Sequence, residues 1–273
     1  MTEKLYYIDS HMKTFTAAVT SCEKDGERYL VTLDRTAFFP EGGGQPGDSG
    51  MIGDVRVFDT HEKNGEILHY VNREIEPGRT YDCAIDWETR FRRMQNHSGE
   101  HIVSGLVHKK YGYNNVGFHM GSDFVTIDFD GELSWEQLSE IERDANYAVA
   151  ANYKVTATFP PEEVLKTLEY RSKLELTENV RIVEIENTDI CACCAPHVSS
   201  TAEVGTVRIL TAERRRRGGD GVRITMLCGL DAFDHEVITD SNNAEISMLL
   251  SAKRTETAAA VRRLISENEK LKA

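Results

Sequence analysis

Two short patterns, far apart in the chain, read as two halves of one metal site: His97-Ser-Gly-Glu-His101 and Cys193-Cys-Ala-Pro-His197. A spacing of four puts both histidines on one face of a helix, one turn apart. Cys193 and His197 bracket a short turn that can bring a thiolate and an imidazole to the same point. Together the pairs offer His97, His101, Cys193 and His197, a borderline-soft set suited to tetrahedral zinc. The long separation argues against a finger-type module and for a site held by an enzyme-sized domain. Each pair alone is weak evidence, because the chain has 9 histidines and a free cysteine is often only a small buried hydrophobe. The conjunction is what predicts a metal. Cys191 and Cys194 are alternatives to Cys193, and His108 and His119 are spare imidazoles.

A length of 273 residues with 40% hydrophobic content allows one large domain or two modest ones. The net charge of −13 repels nucleic acid on average, so any RNA contact needs a local basic patch. Candidates are Arg90, Arg92 and Arg93, then Lys109 and Lys110, each of which reads equally as a solvated charged face. The run Arg214, Arg215, Arg216 and Arg217 is different: a flexible Gly218-Gly-Asp-Gly221 tip follows it and can present guanidinium groups to phosphates. Three of the 6 cysteines crowd into Cys191 to Cys194, which is no disulfide framework. The first residues lack the apolar core of a signal peptide, and no stretch is long and apolar enough to cross a bilayer. The expected location is cytoplasmic, with reduced thiols available to a metal.

Residues up to about 86 read as short strands, including a hairpin across Lys24-Asp-Gly26 and strands Val55–Asp59, Ile67–Val71 and Tyr81–Asp86. That spacing suggests a small β-barrel. Within it lies Phe38-Phe-Pro-Glu-Gly-Gly-Gly-Gln-Pro-Gly-Asp-Ser-Gly50, where glycine lets the backbone come close to a ligand or another domain. No Gly-Lys-Ser/Thr follows, so it is not a phosphate loop. From Trp87 apolar residues recur at helical spacing until Gly112. Val125–Phe129 reads as a strand, and Ser134 with Gln137 begins a helix. A strand over 154–159, a helix from Pro160-Pro161 to Leu168, a strand over Val180–Ile185 and a closing pair over Val204–Leu210 and Gly221–Cys228 follow. From about Asn242 one long helix is expected, with an apolar stripe at Ile246, Leu250, Val261, Leu264 and Leu271 that Lys253 and Thr257 interrupt.

These motifs resemble the AlaX family, freestanding relatives of the editing domain of alanyl-tRNA synthetase. His97-x3-His101 and Cys193-x3-His197 are similar to that domain's ligand pairs. Residues 193–205 are similar to its Cys-Gly-Gly-Thr-His stretch with the trailing Thr-x-Glu-Ile-Gly, and residues 39–50 to the glycine-rich motif of the larger AlaX forms. Gly117–Ser122 with Thr126–Phe129 also fits. Here Cys194-Ala195-Pro196 replaces Gly-Gly-Thr, and His119 stands where synthetase editing domains often carry glutamine. The resemblance implies an α+β fold: an N-terminal small β-barrel domain with the glycine-rich motif over 1–88, a zinc-containing editing domain with a mostly antiparallel sheet over 89–238, and a C-terminal helix over 239–273, resembling the shortened start of a coiled-coil arm that could make a homodimer. It implies a hydrolase acting in trans on mischarged tRNA(Ala), chiefly Ser-tRNA(Ala) and also Gly-tRNA(Ala). Gly43, Gln45 and His119 are then expected to bind substrate, and Arg214 to Arg217 to meet tRNA. No catalytic residue is assigned. Glu100, one position before a ligand and about a quarter-turn away, is expected to be structural. The alternatives are a tRNA-binding or regulatory module with a structural zinc, and a metal hydrolase of another ester.

Overall fold

The computed structural model describes residues 2–172, 179–215 and 220–272. It divides into two compact units, 1–229 and 230–273. The first begins with strands β1 (Glu3–Lys4), β2 (Thr14–Asp25), β3 (Arg28–Leu33), β4 (Arg35–Thr36), β5 (Gly50–Ile52), β6 (Val55–Lys63), β7 (Glu66–Val71) and β8 (Thr80–Ile85). Six of these pair antiparallel in the order β2-β3-β7-β6-β5-β8, with β8 returning to β2. Alternate residues point inward, which gathers Val19, Val31, Leu33, Val57, Val71 and Cys83 into one apolar cluster.

The remainder of this unit is helix and antiparallel sheet. In chain order it runs α1 (Trp87–Tyr111), β9 (Asn115–Met120), β10 (Val125–Phe129), α2 (Trp135–Ala151), β11 (Val155–Thr158), α3 (Glu162–Leu165), β12 (Ile182–Ile185), β13 (Asp189–Ala192), β14 (Val207–Arg214) and β15 (Val222–Cys228). One sheet has the order β14-β15-β10-β9 and a second the order β11-β12-β13. The expected punctuation holds. Gly112 ends α1 in the left-handed conformation with its N–H on the His108 carbonyl. Ser134 and Gln137 form a reciprocal capping box on α2. The helix expected to run to Leu168 is a single turn, α3, and β9 and β13 add strands that the apolar pattern did not reveal.

α1 is buried over most of its circumference, from Met94 to Val107. Its apolar residues Met94, Ile102, Val103 and Val107 join the main core with Ile127, Phe129, Ile141 and Val183. Gly99 and Gly105 make this possible. A Cβ at Gly105 would lie 2.7 Å from the Thr188 carbonyl and 2.7 Å from the Asp189 side chain, and one at Gly99 would collide with Cys228. α1 therefore sits directly against the start of β13 and the end of β15.

Arg90 locks the glycine-rich segment to the same helix. Its guanidinium is 1% exposed and binds the equally buried Asp48 through Nε at 2.8 Å and through Nη2. It also donates to the carbonyls of Ala37 at 2.7 Å and Ser10 at 3.1 Å, while Asp48 accepts from the Phe39 N–H at 2.7 Å. Arg90 is thus a buried tie rather than part of a basic surface. Arg92 pairs with Glu88, and Arg93 donates to the Gly47 carbonyl at 2.7 Å.

The second unit corrects one expectation. The single long helix is two, α4 (Gly229–Leu249, which begins at the end of the first unit) and α5 (Thr257–Lys272). Ser251 has φ +45, and the chain turns back so that Asn243 donates to the Arg254 carbonyl at 2.9 Å and Thr257 donates to Asn243 at 2.8 Å. Asp240 and Arg254 pair at 2.7 Å across the same turn. The helical period of the apolar stripe hides this break, because a helical hairpin keeps the period on each arm. Among the described residues no helix is long and apolar enough to cross a membrane.

Removing one partner of a buried ion pair strands the other charge. Asp48→Asn is therefore expected to lower unfolding free energy by roughly 3–5 kcal/mol, measured by urea denaturation. A loss within 1 kcal/mol would show that Arg90 is held by the carbonyls alone.

Candidate metal centre

His97 and His101 stand one turn apart on α1, with ring centroids 5.5 Å apart. Cys193 lies just past the end of β13, and the His197 ring is 4.9 Å from that of His97 and 4.6 Å from that of His101. One ligand atom from each of His97, His101, Cys193 and His197 lies within 4.8 Å of those of the other three. The Cys193 sulfur is 3.6 Å from His97 Nε2 and 3.4 Å from His197 Nε2. Cys191 instead groups with His101 and Asp189. Cys194 lines the neighbouring cavity.

Each imidazole is oriented from behind. His97 Nδ1 meets Gln45 Oε1 at 3.0 Å, His101 Nδ1 meets Asp189 Oδ2 at 3.1 Å, and His197 Nδ1 meets Ser98 Oγ at 2.9 Å. Asp189 is an acceptor held bidentate by Arg171 at 2.7 and 2.8 Å, so the His101 proton belongs on Nδ1. In each ring Nε2 is then the nitrogen left to take a metal, the arrangement that metal-binding histidines commonly use.

The 193–197 turn is stiffened in the same way. Arg181 donates from Nη1 to the Cys193 carbonyl at 3.0 Å and the Ala195 carbonyl at 2.7 Å, and Ser10 donates to the His197 carbonyl at 2.8 Å. Neither anchor was visible in the sequence.

Burial and neighbouring charges set the protonation of the cluster. Burial alone would raise the Cys193 thiol, but the surrounding His97 and His197, with a hydrogen bond from His101, hold it well below the usual thiol range. Burial pushes His197 down to about 3, against the attraction of Cys193, so its imidazole is neutral. Burial would also raise Asp189, yet the hydrogen bonds from His101 and Arg171 bring it to about 2. Burial would lower His101 as well, but Cys191 and the hydrogen bonds with Asp189 and Cys193 hold it well above the usual imidazole range, so a divalent ion taking the Cys193 thiolate must displace that proton.

A cavity of about 510 Å³ opens on this cluster, lined by His97, His101, Cys193, Gly43, Phe118 and Glu100 among others. Gly43 has φ +61, and a Cβ there would lie 3.4 Å from the Cys194 sulfur and 3.9 Å from His97. The glycine-rich segment thus forms one wall. Gln45 is fully buried behind that wall, with its oxygen on His97. On β9 the alternation turns Phe118 toward the cavity, its ring 4.8 Å from that of His97, while His119 is exposed and is not a lining residue. Glu100, expected to be structural, lines the cavity with its carboxylate 3.8 Å from His101 Nε2. Arg214 is exposed at the end of β14 and pairs with Asp220 at 2.9 Å. Arg215 follows it, and Arg216 and Arg217 lie outside the described residues.

Residues 180–225 match the model of the threonyl and alanyl tRNA synthetase second additional domain, and residues 2–89 match that of tRNA synthetases class II (A). The chain is 35% identical over 253 residues to the alanyl-tRNA editing protein AlaX-L of Pyrococcus horikoshii, covering 88% of this chain and 62% of that protein. It is 33% identical over 248 residues to the alanyl-tRNA editing protein AlaX-M of Methanosarcina mazei, covering 83% of this chain and 97% of that protein. The chain belongs to the AlaX family of alanyl-tRNA editing proteins. An alanine–tRNA ligase of Ignicoccus hospitalis is 31% identical over 99% of this chain, which spans 31% of the ligase. The AlaX chain thus spans about three fifths of the AlaX-L relative and nearly the whole of the AlaX-M relative.

In this AlaX chain Gln45 carries a hydrogen bond from the glycine-rich segment to the back of a candidate ligand. Gln45→Leu is expected to weaken metal affinity by about 10–100-fold with the fold retained, measured by competition against a chromophoric chelator. Unchanged affinity would show that Gln45 does not orient His97.

Proposed function

We propose that the chain is a trans-editing hydrolase that deacylates mischarged tRNA(Ala), chiefly Ser-tRNA(Ala) and also Gly-tRNA(Ala), with zinc as its metal. The observation that carries this reading is the meeting of four oriented ligand side chains with a cavity walled by the glycine-rich segment. The printed names of the relatives supply the substrate class. Zinc is favoured by the ligand set of three imidazoles and one thiolate. Bound by all four, it is coordinatively closed and would supply local positive charge rather than a metal-bound nucleophile.

The work of this chain's own residues follows from the geometry. An aminoacyl ester is already activated, so the site needs mainly a positioned water and stabilisation of the developing oxyanion. Phe118 and Gly43 border the space an acyl group would enter, and their closeness to His97 favours a small side chain. Serine and alanine differ by one hydroxyl, which a polar contact distinguishes far better than apolar fit does. The Gly43 wall, backed by Gln45, is our candidate for that choice, and the departure at His119 leaves Phe118 as the inward residue of β9. We assign tRNA backbone contact to Arg214–Arg217, supported by the exposure of Arg214. We further propose a cytoplasmic setting, supported by six free cysteines, and a homodimer through the helical unit, supported by exposed Phe233, Ile238, Leu264 and Leu271.

Deacylation of Ser-, Gly- and Ala-tRNA(Ala) assayed side by side tests the activity. Ser-tRNA(Ala) is expected to be cleaved and Ala-tRNA(Ala) largely spared. His101→Ala or Cys193→Ala is expected to abolish turnover while tRNA binding persists. Binding without any deacylation by the zinc-loaded protein would favour a tRNA-binding module with a structural zinc.

Replacing Arg214 and Arg215 with serine is expected to raise KM and reduce the salt dependence of deacylation by about one unit of log–log slope per lost phosphate contact. An unchanged KM and slope would make the run a solvated turn.

A further inference from the structure

The cavity beside the ligand cluster has a floor and a rim. His97 and His101 are 2% and 3% exposed, whereas Phe159 lines the same cavity and is 50% exposed. Its ring ends an aromatic chain that runs back into the molecule. Phe159 meets Tyr7 nearly perpendicular at 5.3 Å between centroids, and Tyr7, also a lining residue, meets Tyr6 at 4.6 Å. Tyr6 is buried and packs edge-to-face with Phe39 of the glycine-rich segment at 5.5 Å. The Arg181 guanidinium stands 5.1 Å from the Tyr7 centroid while its Nη1 holds the 193–197 turn. Tyr7 is thus fixed by Tyr6 and Arg181 together. Phe159 follows β11 and precedes Pro160-Pro161. A residue before proline is biased to extended backbone, and an aromatic side chain has few rotatable bonds. Little freedom is therefore lost when this ring is covered.

We propose that Phe159, braced by Tyr7, stacks on the terminal nucleobase of the tRNA acceptor end, which makes this rim a base subsite. This rests on the editing reading above and names the part of its substrate that the rim takes. In a 3′-aminoacyl terminus one ribose carries both the ester and the base. With the ester at the floor beside the ligands, the base is one sugar's width away, toward the rim. A base has two π-faces, and an aromatic ring covers one of them without reading its identity. The amino acid does not compete for this ring, because the Gly43 and Phe118 walls border the acyl group. Stacking also suits the charge of the chain. At a net charge of −13 the protein repels a polyanion on average, and contact between two uncharged rings adds affinity that salt screens little.

The test measures kcat/KM for Ser-tRNA(Ala) on the zinc-loaded wild type, Phe159→Ala and Phe159→Trp, with metal content determined for each. Phe159→Ala is expected to lose roughly 5- to 100-fold, the range of one base on one aromatic ring. Phe159→Trp should stay near the wild type, because the larger ring still stacks. A Phe159→Ala variant as active as the wild type overturns the proposal, as does a Phe159→Trp variant as slow as Phe159→Ala. Calorimetry with two non-hydrolysable amides separates this proposal from the editing reading. One is 3′-serylamido-3′-deoxyadenosine, and the other is methyl 3-serylamido-3-deoxyribofuranoside, which lacks the base. The wild type is expected to bind the first at least about 5-fold tighter, and Phe159→Ala should lose that preference. If no tRNA ester is cleaved but this preference is found and is lost in Phe159→Ala, editing fails and the base subsite stands. Equal binding of the two amides by the wild type, or binding of neither, overturns the subsite even where Ser-tRNA(Ala) is cleaved.

Discussion

The middle of α1 is polar and yet buried, and the first unit is arranged around that constraint. Gln95, Asn96, His97, Ser98, Glu100, His101 and Ser104 follow one another along a helix with hardly any solvent-facing side. Buried polar groups are tolerable only when hydrogen-bonded, so several of them recruit distant parts of the chain. Gln95 takes the Glu203 carbonyl, Asn96 takes the Cys228 N–H, and Ser98 takes His197. His97 takes Gln45 from the glycine-rich segment, and His101 takes Asp189 from β13. The contacts that orient the ligands are therefore the same ones that join helix, sheets and N-terminal strands. The site is not an addition to a finished core.

Arg90 extends that logic one turn earlier. An arginine beside Arg92 and Arg93 reads as surface charge, because residue type carries sign but not depth. Its burial becomes visible only when Asp48, forty-two residues earlier, arrives to meet it. Together with Gln45, this fixes both ends of a short glycine-rich stretch to a single helix. Gly43, between wall and ligand, is held without a side chain of its own.

The parts of the molecule that were legible in the sequence are those written in local chemistry. The two ligand pairs, the Ser134–Gln137 cap, the Gly112 stop and the Lys24-Asp-Gly26 hairpin each depend on residues a few positions apart. The harder ones depend on what lies opposite. A quarter-turn separates Glu100 from His101, which removes it from the site only if the helix has an outer face there, and it does not. On β9 the period of two makes Phe118 or His119 the inward residue according to a one-position choice, and Gly117 blurs the pattern that would decide it. Asp189 reaches its role through β13, which no periodicity marked, and Arg181 stands beside β12, an expected strand whose partner was not legible. The turn between α4 and α5 was masked for a related reason, since only the Lys253–Thr257 interruption hinted at it.

Because the ligand cluster draws on segments 52 and 99 residues apart, it also has a place in time. Contacts this distant form late, after the entropy of closing long loops has been overcome. During synthesis, His97 precedes His197 by roughly 5–20 s at ordinary translation rates. Over that interval α1 carries a row of polar groups whose later partners, from Asp189 to Cys228, have not yet been made, so it cannot be buried as it is in the native core. The N-terminal strands can close on their own apolar cluster meanwhile, but the metal-binding geometry awaits the last sheet. A chain interrupted before β15 would hold every ligand residue and still lack the strand against which Asn96 and Gly99 are seated.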